Sequence, residues 1–118
     1  MKTILICGSR VYTNRLRVQL EIEKERAKHP IRIVSGGARG ADTFAEETAD
    51  QLHLPKVIYH AEWAKYGKAA GHIRNAFMLE REPVDEVWAF TENLENSRGT
   101  KNMVKLAKKK KIPVRLFT

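Results

Sequence analysis

Residues 33–42 read IVSGGARGAD. The apolar, β-branched start is typical of a buried strand, and the glycines after it are typical of a turn that leads into a helix. Glycine accepts positive φ and lets a ligand approach the main chain, while the N–H groups at the start of a helix attract anions. The stretch therefore predicts a strand, a phosphate-binding loop and a helix in immediate succession.

The same alternation of strand and helix extends outward from this stretch. Short apolar runs predict five strands, at residues 3–7, 31–35, 56–60, 84–90 and 114–117. Amphipathic patterns predict four helices, at about residues 14–28, 41–52, 70–81 and 100–111. This order is typical of an α/β fold in which a five-stranded parallel sheet carries helices on both faces.

Helical spacing also predicts which faces are buried. In the first helix the residues expected to share one stripe are Leu16, Leu20, Glu23 and Ala27. In the third predicted helix, Ile73 and Phe77 are expected to face the sheet. Arg74 then lies about 100° around that helix from Ile73, where a long side chain can reach the sheet edge.

Composition predicts a single domain spanning residues 1–118, with 42% hydrophobic residues and a net charge of +8. The positive charge favours anionic partners, nucleotides and nucleic acids alike. No apolar run is long enough to span a membrane, and no signal-peptide pattern is present. The single cysteine, Cys7, cannot form an internal disulfide, which favours a reduced, cytoplasmic setting.

The loops that follow the strands are expected to meet along one edge, because ligands of open parallel sheets bind beyond the carboxyl ends of the strands. These loops span residues 8–10, 36–40, 61–71 and 91–99. Ser97-Arg98-Gly99-Thr100 is a second polar helix start, in which Ser97 is either a simple N-cap or a ligand contact. Two helix starts on one edge suit a diphosphate, or a phosphate and a ribose.

Arginines accompany these loops, and arginine matches phosphate bidentately. They are Arg10, Arg39, Arg74 and Arg98. Asp42 is the exception, because a carboxylate repels the anion that the loop should attract. Either it stabilises the first turn of its helix, or it accepts hydrogen bonds from ribose hydroxyls or orients a neighbouring arginine.

Two aromatic residues, Trp63 and Tyr66, fall in a loop and are candidates to stack on a base, whereas Trp88 lies in a strand and is expected in the core. The four histidines lack the paired spacing of a zinc site. The lysine run at residues 108–111 is interpreted as the solvated end of a helix at the opposite end of the sheet.

Four motifs together resemble the SLOG superfamily, a Rossmann-like group that includes the LOG phosphoribohydrolases and the DNA-processing protein DprA. They are GSR at 8–10, SGGARGAD at 35–42, WAKYGKAAGHIRN at 63–75 and SRGT at 97–100. The pattern is most similar to the small YspA-type proteins of bacteria and phages. The resemblance implies a Rossmann-like domain with a nucleotide pocket.

Departures from the relatives separate the functions that the resemblance implies. Arg74, Asn75 and Met78 are similar to the R-K-x-x-M motif of LOG enzymes, but Met103 stands where those enzymes carry a catalytic glutamate. Methionine cannot donate a proton or stabilise an oxocarbenium charge, so LOG-type hydrolysis is not expected. The glycine loop is also similar to the loop with which DprA holds single-stranded DNA, with Ala41 in place of isoleucine.

The hypothesis is therefore binding of a nucleotide or a nucleotide-derived small molecule, such as an ADP-ribose derivative, with no cofactor, metal or membrane partner. A nucleotide-processing N-glycosidase or hydrolase using Asp42 or Glu62 and a single-stranded nucleic-acid binder are the alternatives, and a homo-oligomer is left open. The predicted ligand-binding residues are Gly8, Ser9, Arg10, Ser35, Gly36, Gly37, Arg39, Gly40, Asp42, Trp63, Gly71, Arg74, Asn75, Ser97, Gly99 and Thr100.

Overall fold

The computed structural model describes all residues from Met1 to Thr118. The strands are β1 (Lys2–Gly8), β2 (Ile31–Ser35), β3 (Lys56–Ile58), β4 (Glu86–Phe90) and β5 (Val114–Phe117). The helices are α1 (Arg15–Lys28), α2 (Ala41–Gln51), the single turn α3 (Trp63–Tyr66), α4 (Ala70–Arg81) and α5 (Arg98–Lys109). No helix is both long and apolar enough to span a membrane.

The five strands form one sheet in the order β3-β2-β1-β4-β5, and every neighbouring pair is parallel. This confirms the predicted α/β fold, which is Rossmann-like. The chain reverses its direction of travel across the sheet between β1 and β4. Ligand crevices form at such reversals, beyond the carboxyl ends of the two strands.

Alternating side chains of each inner strand feed two separate hydrophobic cores. Ile4 and Ile6 of β1 join the core beneath α1 and α2, whereas Leu5 and Cys7 join the core beneath α4 and α5. Trp88 is fully buried, as its place in a strand predicts. Because both faces of the sheet are covered, the loops beyond the strand ends remain the exposed edge.

The buried face of α1 differs from the predicted stripe. Leu16 and Leu20 are 60% and 42% exposed, and Val18 and Ile22 enter the core instead. Glu25 lies beside them, buried because Lys2 Nζ contacts its carboxylate at 2.7 Å. The predicted stripe followed Leu16 and Leu20 and did not include this ion-paired glutamate.

The connection from residue 61 to 71, expected to be irregular, contains α3 and a 3-10 turn at Gly67–Ala69. A second 3-10 turn, Leu94–Asn96, precedes α5. Two predicted strands are shorter than expected, since β3 ends at Ile58 and β4 begins at Glu86.

Gly8 lets three elements meet at the carboxyl end of β1. A Cβ at this position would lie 2.2 Å from the carbonyl oxygen of Phe90 and 2.5 Å from Cβ of Ala41. Neither atom is the movable end of a long side chain. The absence of a side chain at Gly8 therefore permits the contact between β1, β4 and α2.

We expect Gly8→Ala to lower the free energy of unfolding by about 1–3 kcal/mol, because the new methyl group overpacks a backbone contact. The matched control is Gly99→Ala in the first turn of α5, where a Cβ has no atom within 4 Å. That variant should be neutral or stabilised by about 0.5–1 kcal/mol, since alanine favours helix over glycine. Urea denaturation measures both, and equal effects would contradict the argument.

Candidate functional site

A cavity of about 800 Å³ opens at the carboxyl ends of the strands. Its walls come from the loop after β1, the glycine loop after β2, helices α3 and α4, and the start of α5. A smaller cavity of about 330 Å³ adjoins it and shares residues with it, among them Arg10, Trp63 and Arg74. The four loops expected along one edge thus contribute to one region.

Most of the predicted ligand-binding residues line the main cavity. They are Gly8, Ser9, Arg10, Gly36, Asp42, Trp63, Gly71, Arg74, Asn75, Ser97, Gly99 and Thr100. Gly37 and Arg39 line the smaller cavity. Ser35, Gly40 and Glu62 line neither cavity. The hydroxyl of Ser35 instead donates to Glu46 at 2.7 Å, inside the fold.

The glycine loop already holds an acceptor from the protein itself, the carboxyl group of Asp42. The backbone N–H of Ala38 donates to Oδ2 of Asp42 at 3.2 Å. The N–H of Ala41, at the start of α2, donates to the carbonyl of Ser9 at 3.4 Å. Two N–H donors of the stretch that the sequence assigned to an external phosphate are thus paired within the protein.

Two glycines of the loop have backbone conformations that favour glycine. Gly37 and Gly40 have φ of +69° and +73°. A Cβ on Gly37 would also lie 2.7 Å from Nδ1 of His60. A larger residue at Gly37 therefore strains the loop itself, so this position is unsuited to a clean test of ligand binding.

Asp42 is 5% exposed, yet it belongs to the cavity wall. Burial raises the pKa of its carboxyl to about 7, although the N–H of Ala38 and the charge of Arg74 act in the opposite direction. The neighbouring Glu46 adds to the increase. Asp42 therefore exchanges its proton near neutral pH, which is the range that acid–base chemistry uses.

Arg74 connects the glycine loop to the loop after β3. Its Nη1 donates to the carbonyl oxygens of Gly36 and, at 3.3 Å, of Tyr59, and its Nε donates to Oδ1 of Asn75 at 3.1 Å. No carboxylate forms a salt bridge with Arg74 within 4 Å. Burial lowers the pKa of the guanidinium somewhat, and the charge of Asp42 opposes that shift.

Asn75 carries the connection on to α5. Its Nδ2 donates to the carbonyl of Gly99 and to Oδ1 of Asn102, both at 3.1 Å. The asparagine that replaces the lysine of LOG enzymes thus ties α4 to the start of α5, and its amide is occupied by these contacts.

The first turn of α5 has no side-chain cap. Ser97 stands at the N-cap position, but its hydroxyl donates to the carbonyl of Asn93 at 3.0 Å and lies 2.7 Å from Oγ1 of Thr91. The first intrahelical bond joins the N–H of Lys101 to the carbonyl of Ser97. The preceding N–H groups of this helix thus lie beside the cavity without a capping side chain, where an anion is favoured.

Positive charge dominates the cavity wall. Its six cationic residues are Arg10, Lys68, Arg74, Arg98, Lys101 and Lys105, whereas Asp42 is its only acidic residue. Of the six, Lys101 alone forms a salt bridge, with Glu95 at 2.7 Å. The sequence interpretation missed the three lysines. The signal for Lys101 and Lys105 was spacing, because residues 98, 101 and 105 share one face of α5, whereas Lys68 lies in the 3-10 turn before α4.

Trp63 is 49% exposed and lines both cavities. The guanidinium of Arg10 lies 5.4 Å from the centre of its ring. Tyr66, the other stacking candidate, is half-buried and lines neither cavity. The structure thus leaves Trp63 as the aromatic surface of the site.

Met103 does not face the cavity. It is fully buried in the core beneath α4 and α5. A glutamate introduced here would bury an unpaired charge, so Met103→Glu cannot supply an acid to the site.

Two comparisons with known proteins bear on the family to which the chain belongs. The profile of the YAcAr family, described as the YspA, cpYpsA-related SLOG family, matches residues 2–66. The Gene 61 protein of Mycobacterium phage D29 is 36% identical over 121 residues, covering 97% of this chain and 94% of that protein. Both findings confirm the resemblance predicted from the four motifs.

We expect the contribution of Asp42 to the free energy of unfolding to fall as pH rises from about 4 to 7. Over that range the folded state keeps the proton of Asp42 and the unfolded chain has lost it. Asp42→Asn removes this dependence and should be more stable than the wild type at pH 8 by more than about 1 kcal/mol. Urea denaturation at pH 4 to 8 measures it.

The control for that measurement is Glu62→Gln, because Glu62 is exposed and forms no salt bridge. Its curve should run parallel to that of the wild type. If the curve of Asp42→Asn is also parallel, the carboxyl of Asp42 has an ordinary pKa.

Proposed function

We propose that this chain, which belongs to the YspA, cpYpsA-related SLOG family, binds a nucleotide or a nucleotide-derived small molecule. One observation carries the proposal: six Lys or Arg residues and a single acid line the main cavity. A ligand with negative charge is the occupant that such a wall favours. The predicted ADP-ribose derivative is one member of this class.

The phosphate is assigned to the start of α5. Here the uncapped N–H groups lie beside Arg98, Lys101 and Lys105, so backbone donors and side-chain charges converge. This assignment moves the phosphate away from the glycine loop, where Asp42 already accepts a hydrogen bond.

The base is assigned to Trp63. Its ring is half exposed at the cavity, and Gly71 faces it without a side chain, since a Cβ there would lie 3.6 Å from Cη2 of Trp63. A planar base gains stacking energy on such a surface. With one unpaired and buried cysteine, a reduced cytoplasmic setting fits this function.

Gly99→Leu tests the assignment of the phosphate. The added side chain enters open space at the cavity wall, and leucine favours helix over glycine. We expect an unchanged or raised melting temperature together with at least about a tenfold loss of affinity, equivalent to 1.4 kcal/mol. Isothermal titration calorimetry with the four common nucleoside 5′-monophosphates measures the affinity.

The matched control is Lys109→Leu, which adds the same side chain at an exposed position near the other end of α5. It should leave affinity unchanged. Full binding by Gly99→Leu would contradict the assigned site. Affinity that rises with strand length and falls steeply with salt would instead identify a nucleic-acid binder.

Asp42 supports a second function, hydrolysis of the bound nucleotide. It is the one acid on the cavity wall, and its pKa of about 7 suits a general acid or base. Glu62, the other acid considered from the sequence, is exposed and lies outside both cavities.

If this second function holds, the wild type releases free base from a nucleoside 5′-monophosphate, and Asp42→Asn slows release by at least about a hundredfold. Glu62→Gln should retain the rate. Chromatography of the released base provides the measurement. A wild type that binds the nucleotide without releasing base is a binding protein, and hydrolysis is then excluded for that substrate.

A further inference from the structure

The smaller cavity has the character of a second anion site. It is lined by Arg10, Arg39, Arg74 and His60 together with the glycine loop, and no acidic residue lines it. Arg10 and Arg39 form no salt bridge anywhere in the protein. Their charges are therefore available to a ligand.

The two cavities adjoin and share part of their walls. Arg10 lies over the ring of Trp63, and both residues belong to both walls. Arg74 also borders both cavities and is held in place by two backbone carbonyls. A ligand that extends from one cavity into the other therefore meets Trp63, which lines both, and cationic residues in each.

We infer that the ligand carries two phosphate groups separated by a nucleoside, as a dinucleotide does, and that the cavity of Arg39 and His60 holds the second phosphate. The inference rests on the proposed function, because it uses the main cavity for the first phosphate. It also accounts for the presence of cationic residues in both of the cavities that Trp63 lines, since a single phosphate would engage only some of them.

The sequence placed four arginines beside the loops without dividing them between sites. Arg39 was one of this group, with Arg10, Arg74 and Arg98. In the fold, Arg39 lines only the smaller cavity, and Arg98 lines only the larger one. The arginines thus fall into two groups, joined by the shared residues Arg10 and Arg74.

The test is calorimetric titration of the four nucleoside 5′-monophosphates and the four matching 5′-phosphorylated homodinucleotides. We expect the wild type to bind its preferred dinucleotide at least about tenfold more tightly than the monophosphate. Arg39→Ala should remove that advantage and leave monophosphate affinity unchanged. Lys105→Ala should weaken both probes.

The control is Arg26→Ala, an exposed arginine in the last turn of α1 without a salt bridge, which should change neither affinity. Equal affinity of the two probe classes, or an equal loss of both in Arg39→Ala, overturns the second site while the proposed function stands. Failure of all eight probes to bind overturns both. Affinity that keeps rising for homo-oligonucleotides of about ten residues would instead identify the ligand of both cavities as single-stranded nucleic acid, and would overturn the dinucleotide.

Discussion

Arg74 holds together the edge of the sheet that carries the candidate site. Its guanidinium forms no salt bridge with a carboxylate. It donates instead to backbone carbonyls in the loops after β2 and β3. Asn75 extends the same network to α5. Gly36 is part of the same arrangement, since a Cβ there would lie 2.6 Å from Nη1 of Arg74. Arg74 and Asn75 together thus connect α4 to the loops after β2 and β3 and to α5. The half-buried guanidinium of Arg74 lies near the opposing charge of Asp42.

The fold could be predicted from the sequence because local patterns and global architecture agree. Apolar runs such as residues 3–7 and the turn at Gly36–Gly40 each specify their element without reference to distant residues. The buried face of α1 could not be predicted in this way. Glu25 is paired with His29 one turn along the chain and with Lys2 from β1, and helical spacing does not identify the second of these partners.

The sequence predicted which loops form the candidate site, but not which residues of those loops face the cavity and which are paired within the protein. The glycine loop looked like a phosphate site because its donors are visible in the sequence, whereas the acceptor they meet is decided by the conformation of Asp42. The lysines of α5 contribute charge only because α5 begins at the cavity. The family profile ends at residue 66, so the basic wall from α5 lies in the part of the chain that it does not match.

The strand order has a consequence for how the site comes into existence. β1 is made first but lies at the centre of the sheet, and its second neighbour, β4, begins more than seventy residues later at Glu86. Until that distant pairing forms, β1 has an open edge and the crevice between β1 and β4 has one wall. Closure of such a long loop is slow relative to local pairing. The pairing of β4 with β1 therefore also completes the cavity, so that the candidate site exists only in a chain that has finished folding.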